Sequence, residues 1–404
     1  MTQTEEFYRI QRLPPYVFEE VNALKQKLRT AGNDIIDLGM GNPDMPTPPH
    51  IVEKLVETAR NPKAHRYSVS KGIIGLRRAM SRYYERRFDV KLDPDTEVIA
   101  TIGSKEGFAN LAQAITGPGD VILSPNPAYP IHAYGFIIAG GMIKAVPALS
   151  PEQYLRGLHQ AVRETKPVPK AMVLNYPSNP TAQTVDLEFY KDAVALARKH
   201  DIVLLSDLAY GEVFFDDPPP SVLQVNGAKD VAIEVNSLSK TFAMAGWRVG
   251  MAVGNERLCR ALARVKSYLD YGAFTPIQVA AAAALDGPWS CVEDIRATYR
   301  ERRDVLIEHF ANAGWEIPVP SASMFAWAPI PEDYRAMGSV GFSKLLIERA
   351  DVAVAPGLGF GEEGDGHVRI GLVENAQRIR QAARNIRRFL QTTWPIGEEA
   401  PAGT

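Results

Sequence analysis

The sequence predicts an α/β protein with a large domain, in which a mostly parallel sheet is flanked by helices, and a smaller α+β domain at the C-terminal end. Short β-branched runs recur, and each is followed by a stretch with helical character. Runs such as IVLL are apolar throughout, as strands covered on both faces must be. From about residue 288 this alternation gives way to long charged helices and short strands.

The large domain is predicted over residues 49–287. One helix start is legible there in detail: Ser150 can cap, Pro151 takes the first helical position and Gln153 completes a capping box, which predicts a helix over 151–165. The predicted strands are VIATI, DVILSP, KAMVLNYP, DIVLLSD and DVAIEVNSLS. Together they form the alternating pattern of crossover units in a parallel sheet.

The small domain is predicted over residues 288–404, joined by an N-terminal arm over 1–48. The arm contains an amphipathic helix that ends near Asn33, and the tail from Pro395 is expected to fray. The predicted elements of the small domain are a helix at 290–312, a strand pair around PVPSASMFAWAPI, a helix at 340–350, strands in VAVAP and HVRIGL, and a helix at 374–391.

Composition excludes several classes of protein. Of the 404 residues, 46% are hydrophobic, which is too large a fraction for a disordered chain. The 45 basic residues are balanced by 47 acidic ones, so the chain has no net positive charge to attract nucleic acid or an anionic membrane. The apolar run 279–285 is too short to span a bilayer, and the first residues, which carry two glutamates and no apolar run, argue against a secretory signal. The chain has only two cysteines, which predicts a cytoplasmic protein. Its seven histidines lack the spacing of metal ligands, so we expect no metal site and interpret them as surface or packed residues.

The segment NSLSKTFAMAGWRVG at 236–250 carries the strongest chemical signal. Lys240 follows a predicted strand, and Arg248 comes eight positions later. A lysine is nucleophilic only when its amine is partly deprotonated, which a desolvated pocket near another cation favours. The same letters contain an SxxK at 237–240, but the SDN-type and KTG strings that penicillin-binding serine enzymes also need are absent. The segment resembles the lysine segment of class I/II pyridoxal-phosphate-dependent aminotransferases of fold type I.

This resemblance implies the cofactor pyridoxal 5'-phosphate, with Lys240 forming the internal aldimine. In SDLAYGEVFFDD, Asp207 ends a buried strand, where a carboxylate needs a partner. The resemblance implies that Asp207 pairs with the pyridine nitrogen, while Tyr210 and Asn179, the latter in NYPSNPT, contact the phenolic oxygen. Without the lysine segment, a helix cap, a core tyrosine and an Asn-Pro turn would explain these three residues equally well.

A phosphate site is predicted where VIATI turns into a helix. Free N–H groups at a helix N-terminus bind dianions, and a glycine lets the backbone come close. The resemblance implies that Tyr129, in NPAYP, stacks on the cofactor ring. The residues it implies around the phosphate are Gly103, Ser104, Lys105, Ser237, Ser239 and Arg248.

Four further positions concern the substrate and a second subunit. The resemblance implies that Arg369, in HVRIGL, binds the α-carboxylate of an amino acid and that the backbone of Gly41 closes over it. Tyr67 matches a tyrosine that reaches the phosphate in the neighbouring subunit, which implies a homodimer with shared active sites. Tyr16 either folds over the substrate or forms a hydrophobic staple.

The segments RLPPYVF, GNPD and SYLDYGAFTP look most like those of bacterial alanine (glutamate–pyruvate) aminotransferases. No second arginine for a dicarboxylate side chain is identifiable, which favours a small or neutral side chain, with glutamate accepted by other contacts. The expected reaction exchanges the amino group of alanine or glutamate with pyruvate or 2-oxoglutarate in a ping-pong mechanism. A carbon–sulfur β-lyase or an amino-acid decarboxylase on the same fold stays open. A DNA-binding regulator is not favoured. The GxGxxG at 359–364 is not interpreted as a dinucleotide-binding loop, because Glu362 and Glu363 would repel a pyrophosphate.

Overall fold

The structure is a computed structural model that describes residues 7–14 and 17–392. Tyr16 and the predicted tail from Pro395 therefore lie outside the described residues. The strands are β1 Ile36–Asp37, β2 Val98–Thr101, β3 Val121–Asn126, β4 Met142–Pro147, β5 Ala171–Asn175, β6 Val203–Asp207, β7 Ala232–Ser237, β8 Gly250–Gly254, β9 Phe325–Pro329, β10 Val352–Ala353, β11 Ala355–Pro356 and β12 His367–Gly371.

The α-helices lie between these strands along the chain and at both ends of its described part. They are α1 Tyr8–Gln11, α2 Phe18–Thr30, α3 Pro49–Ala59, α4 Ile74–Phe88, α5 Ser104–Ile115, α6 Ile131–Ala139, α7 Pro151–Glu164, α8 Leu187–His200, α9 Leu238–Thr241, α10 Glu256–Leu269, α11 Thr275–Asp286, α12 Ser290–Asn312, α13 Gly338–Ala350 and α14 Ala376–Gln391. None of the described helices is both long and apolar enough to cross a membrane.

The large sheet has the strand order β2-β8-β7-β6-β5-β3-β4 and is mostly parallel, with β8 running against both of its neighbours. Along β5, Met172 and Leu174 pack in one apolar core while Val173 packs in another on the opposite face. Such two-sided burial explains why the strand is apolar throughout. The predicted α/β class, with a flanked sheet and a smaller C-terminal unit, is confirmed.

This topology brings several strand ends to one edge of the sheet. Because β2, β5, β6 and β7 point the same way, their carboxyl ends lie together, with Thr101, Asn175, Asp207 and Ser237 as their last residues. In open parallel sheets this edge is where ligands bind.

The smaller unit contains the antiparallel sheet β11-β12-β9 and the parallel pair β1-β10. The strand pair predicted around PVPSASMFAWAPI is wrong. The segment supplies β9, which pairs with the distant β12, whereas Ser321 and Ser323 bond to the backbone of Phe215 and Val213. The first half of the segment cannot pair with β9 because its backbone groups are taken by residues 213–215.

Helix α7 begins at Pro151, as predicted, and the Ser150 hydroxyl accepts the Gln153 N–H at 3.1 Å. The predicted capping box is displaced by one residue, because Gln153 Oε1 accepts the N–H of Leu149 at 3.1 Å rather than that of Ser150. The helices predicted at 290–312, 340–350 and 374–391 form within two residues of those bounds. The predicted domain bounds at 48/49 and 287/288 stay a prediction.

Candidate active site

A cleft of about 510 Å³ lies between the carboxyl edge of the large sheet and the smaller unit. It brings together most of the site residues that the sequence predicted, although they span more than 300 positions of the chain. Those that line it are Gly41, Ser104, Lys105, Tyr129, Asn179, Asp207, Tyr210, Ser237, Ser239, Lys240, Arg248 and Arg369. Gly103 lies directly beside the cleft, against the guanidinium of Arg248.

Lys240 extends from the short helix α9 into the cleft. Its Nζ donates a hydrogen bond to the carbonyl of Gly41 at 2.8 Å. Burial, with the nearby cations of Arg369 and Arg248, lowers the pKa of the Lys240 amine to about 8. A substantial fraction of the amine is therefore neutral just above neutral pH, which is the state a nucleophile or a proton acceptor needs.

Asp207 is fixed at the end of β6 by bonds to both of its carboxylate oxygens. Oδ1 accepts the N–H of Ala209 at 3.0 Å, and Oδ2 lies 2.9 Å from Nε2 of His132. Since a carboxylate only accepts, Nε2 is the ring nitrogen that carries the hydrogen. His132 is fully buried, and its Nδ1 has no hydrogen-bond partner among the described residues.

His132 is a site residue that sequence reasoning missed. The histidines were predicted to be surface or packed residues, and His132 is packed, but it also contacts the predicted aspartate. It precedes Asp207 by 75 positions, and no spacing rule connects two residues that meet through the sheet. Its position just after the NPAYP segment was the nearest available signal.

Tyr210 and Asn179 face each other across the cleft floor. Asn179 Nδ2 lies 3.5 Å from the Tyr210 hydroxyl, and the Asn179 N–H is held by Asn175 Oδ1 at 2.9 Å. Burial places the pKa of the Tyr210 hydroxyl well above its ordinary value, so this group stays a hydroxyl donor at all working pH values.

Arg369 comes from β12 and closes the other side of the cleft. Its Nη1 donates to Asn179 Oδ1 at 2.7 Å and its Nη2 to the Gly39 carbonyl at 3.3 Å. The guanidinium carbon lies 4.0 Å from the ring centre of Phe325 and 4.7 Å from that of Phe360. Aromatic faces hold the planar fork in one orientation, which suits bidentate binding of a carboxylate.

The predicted phosphate residues form a polar cup at the start of α5. Gly103 precedes this helix with a φ of 78° and no side chain caps it, and a Cβ at Gly103 would collide with the guanidinium of Arg248. Arg248 Nη1 donates to the carbonyl of Ala245 at 2.9 Å, and no carboxylate within residues 7–14 and 17–392 pairs with this guanidinium. Ser237 Oγ accepts the Ser239 N–H at 3.2 Å, which leaves its hydrogen to donate into the cup.

Gly250 is a second residue that sequence reasoning missed. A Cβ built on it would lie 2.6 Å from the backbone nitrogen of Ser104 and 2.9 Å from the carbonyl carbon of Gly103. Only glycine lets β8 approach the start of α5 so closely, and this approach shapes the cup. A glycine at the end of the lysine segment was visible in the sequence, but the facing backbone was not.

Tyr129 and Lys105 lie on one wall of the cleft, with the Lys105 amine 5.9 Å from the Tyr129 ring centre. Tyr67 does not join the cleft. It is 86% exposed, and its ring centre lies 4.7 Å from that of Tyr271, which is also exposed. Exposed side chains of Tyr268 and Phe274 belong to the same stretch of chain as Tyr271, so aromatic surface is concentrated there.

The cleft fits pyridoxal 5'-phosphate in three independent respects. The cup offers an arginine without a carboxylate partner, hydroxyls and an uncapped helix start for a phosphate. Asp207 is a fixed acceptor for a protonated ring nitrogen, and Lys240 is a buried amine with a lowered pKa. The residues around the cleft contain no group of three or more His, Cys, Asp or Glu side chains placed to hold a metal ion, as far as the structure describes the chain.

Fold and cleft together define a pyridoxal-phosphate-dependent enzyme of fold type I. The family described as aminotransferase class I and II matches residues 33–386, so the chain belongs to this family and its cofactor is pyridoxal 5'-phosphate. It is an aminotransferase, and it carries out amino-group transfer.

Several known proteins resemble the chain over nearly its whole length. The glutamate-pyruvate aminotransferase AlaC of Escherichia coli is 54% identical, covering 94% of this chain and 93% of its own. An LL-diaminopimelate aminotransferase of Moorella thermoacetica is 41% identical, covering 96% and 98%. A substrate-bound structure of BacF from Bacillus subtilis superimposes with a TM-score of 0.89 at 37% identity, covering 96% and 98%.

Proposed function

We propose that this aminotransferase exchanges the amino group of alanine or glutamate with pyruvate or 2-oxoglutarate, in a ping-pong reaction. The observation that carries the proposal is the pairing, in one cleft, of a buried Lys240 amine with a lowered pKa and an arginine fork at Arg369. The likeness to the E. coli enzyme supports the choice of alanine and glutamate. The β-lyase and decarboxylase alternatives are not favoured, because the relatives are named aminotransferases.

Lys240 serves as the covalent tether of the cofactor and, once released, as the base that moves the α-proton. When bound, pyridoxal 5'-phosphate supplies an electrophilic aldehyde carbon and a ring that accepts the electron pair of the broken C–H bond. Asp207 keeps a proton on the ring nitrogen, and His132 orients Asp207 through the bond between Nε2 and Oδ2.

The remaining residues of the cleft bind and orient. Arg369 binds the substrate α-carboxylate with its two terminal nitrogens, which then exchange their contacts with Asn179 and Gly39 for the carboxylate. Tyr210 and Asn179 donate to the phenolic oxygen of the cofactor. The backbone of Gly41, whose carbonyl accepts a hydrogen bond from Lys240, borders the substrate.

Phosphate binding is assigned to the cup, with Tyr129 stacking on the cofactor ring. The N–H groups of Ser104 and Lys105, the hydroxyls of Ser237 and Ser239 and the guanidinium of Arg248 provide the donors, while Gly103 allows the close approach.

Among the described residues that line the cleft, the arginines favour a small or neutral substrate side chain, with glutamate accepted by other contacts. The arginines among its described lining residues are Arg248 and Arg369, and both have roles already. Lys25 also lines the cleft, but its amine is paired with Asp37 at 2.8 Å. No second arginine fork therefore faces a side-chain carboxylate from within the described part of this chain.

We further propose a homodimer with shared active sites in the cytoplasm. The exposed aromatic rings of Tyr67 and Tyr271 form a surface suited to a second copy of the chain, from which Tyr67 would reach the other copy's phosphate. The two cysteines are free, as expected in a reducing compartment. Sedimentation equilibrium of Tyr67→Arg against the unmodified enzyme tests the dimer: the variant is expected to dissociate at concentrations where the unmodified enzyme does not.

The substrate proposal is tested by single half-reactions. The holoenzyme is mixed with one amino acid at a time, including alanine, glutamate, aspartate and LL-diaminopimelate, and the absorbance of the cofactor is followed. Alanine and glutamate are expected to convert the cofactor fully, and pyruvate or 2-oxoglutarate to restore it. Release of ammonia or carbon dioxide without a 2-oxo acid would instead favour the lyase or the decarboxylase.

Lys240→Ala provides the catalytic control, with Lys229→Ala as a matched lysine whose amine bonds to Glu97 at 2.8 Å away from the cleft. The first variant is expected to lose amino-group transfer and the second to retain it. Full transfer by Lys240→Ala would overturn the proposed mechanism.

A further inference from the structure

Lys266 is a fully buried lysine that the proposed reaction does not use. It lies near the end of α10, and its amine bonds to Glu106 Oε1 at 2.8 Å and to Asp270 Oδ2 at 2.9 Å. Burying an ammonium is costly unless it is paired, and these two carboxylates provide the pairing. The question is what the three charges do at this place in the fold.

Glu106 connects this group of charges with the phosphate cup. It lies in the first turn of α5, the helix that starts at Ser104, and its Oε2 accepts the N–H of Ile102 at 2.7 Å. The carbonyl of the same Ile102 lies 3.5 Å from Nη2 of Arg248. Glu106 thus holds the backbone N–H of Ile102, and the arginine of the cup contacts the carbonyl of the same residue.

Asp270 extends the connection to the exposed aromatic surface. Its Oδ1 accepts the N–H of Gly272 at 2.6 Å, and its carbonyl accepts the hydroxyl of Ser70 at 2.5 Å. The bond from Ser70 holds the loop that carries Tyr271 against the segment that carries Tyr67. Lys266 therefore joins the first turn of α5 to the start of this loop.

The charge of Glu106 poses a problem for phosphate binding. A helix N-terminus attracts anions, and a carboxylate in its first turn uses the same positive end that the phosphate needs. Here the carboxylate lies one turn or less from the N–H groups of Ser104 and Lys105. The Lys266 amine, 2.8 Å from Glu106, cancels that negative charge where it would repel the dianion.

We propose that Lys266 is a positioning residue for the cofactor phosphate: it neutralises Glu106 beneath the cup and, through Glu106, fixes the backbone of Ile102 against Arg248. The inference rests on the phosphate assignment in the proposed function. It predicts an effect on phosphate recognition that is distinct from any effect on the covalent bond to Lys240.

The test compares two probes that differ only in the phosphate. Holoenzyme is stripped of cofactor and titrated with pyridoxal 5'-phosphate and, separately, with pyridoxal, while absorbance reports binding. Lys266→Met is expected to raise the Kd for pyridoxal 5'-phosphate about tenfold and to leave that for pyridoxal unchanged, since a charge effect at a helix start is of this order. Lys266→Arg, which keeps the charge, is expected to bind both probes as the unmodified enzyme does.

Glu106→Gln separates charge from structure even if Lys266→Met fails to fold. The amide oxygen can still accept the Ile102 N–H, but the amide nitrogen cannot accept from Lys266, and the group carries no charge. The proposal therefore expects the Kd for pyridoxal 5'-phosphate to fall relative to that for pyridoxal in this variant, whereas a merely structural role for the Lys266 group expects both constants to rise together. Lys229→Met removes a lysine paired with Glu97 away from the cup and serves as the matched control, with both constants unchanged.

Two results would overturn the inference: a change of both constants to the same extent, or of neither, in Lys266→Met, or a Kd for pyridoxal 5'-phosphate that does not fall relative to that for pyridoxal in Glu106→Gln. A different result concerns the proposed function itself. If the unmodified enzyme bound pyridoxal as tightly as pyridoxal 5'-phosphate, the assignment of the cup would be wrong, whatever the variants did.

Discussion

Glu234, in the middle of β7, has no exposed surface, and its carboxylate lies inside the core of the large sheet. Tyr84 and Ser206 each donate a hydroxyl to it at 2.9 Å, and Ser221 does so at 2.6 Å. Burial nevertheless outweighs these hydrogen bonds and raises the pKa of Glu234 from its ordinary 4.5 to about 7. The folded protein therefore binds more protons than the unfolded chain between these two pH values, and its stability falls as pH rises through this window.

The magnitude follows from the two pKa values of Glu234. Compared with a permanently neutral residue, the raised pKa lowers the free energy of unfolding by about 1 kcal/mol at pH 5.5 and by about 3 kcal/mol at pH 8. Glu234→Gln removes this pH dependence and keeps an acceptor for the surrounding hydroxyls. We therefore expect the variant's free energy of unfolding, measured relative to that of the unmodified enzyme, to increase by about 2 kcal/mol between pH 5.5 and pH 8.

Urea unfolding of both proteins at several pH values measures this difference. Groups common to both cancel in the comparison, so the slope with pH belongs to residue 234. Glu152→Gln is the matched control: its carboxylate is exposed and hydrogen bonds to backbone and to Ser150 hold its pKa below the usual value, so it is ionised throughout the range. A constant difference between Glu234→Gln and the unmodified enzyme across the range would refute the reasoning.

Three further predictions concern the cleft. The rate at which the cofactor-free enzyme binds pyridoxal 5'-phosphate should increase as pH rises through about 8, where the Lys240 amine loses its proton. Arg369→Gln removes a nearby cation and should therefore move this pH profile to higher pH; stopped-flow absorbance measures both effects. Arg369→Lys should raise KM for the amino acid about tenfold in steady-state assays, with a smaller effect on kcat, because an ammonium cannot form the two parallel bonds of the fork. Gly250→Ala should weaken cofactor binding in an absorbance titration because its Cβ would press on the Ser104 nitrogen at 2.6 Å, whereas Gly246→Ala, with no atom within 4 Å of its Cβ, should not; equal affinities would contradict this account of the cup.

Most of the candidate site could be predicted from the sequence because its residues follow strands directly. Asp207 and Ser237 are the last residues of β6 and β7, and Asn179 and Lys240 come a few positions after strand ends. Strand and helix patterns are local, and parallel strands placed side by side bring their carboxyl ends together without further information. The start of α7 was predictable for a similar reason, since a cap needs only residues three positions apart.

Other contacts had no local signal. The bond of His132 to Asp207, the contact of Arg369 with Asn179 and the pairing of Lys266 with Glu106 join residues 75, 190 and 160 positions apart. Which of many histidines or lysines finds which carboxylate depends on strand order and helix packing, and neither is encoded in the spacing of the residues concerned. The chain's own periodicity thus specified the elements and the chemistry at their ends. The assembled sheet, by bringing distant backbone and side chains within hydrogen-bonding distance, set the pKa of Lys240, the shape of the cup and the partners that hold Asp207 and Arg369 in place.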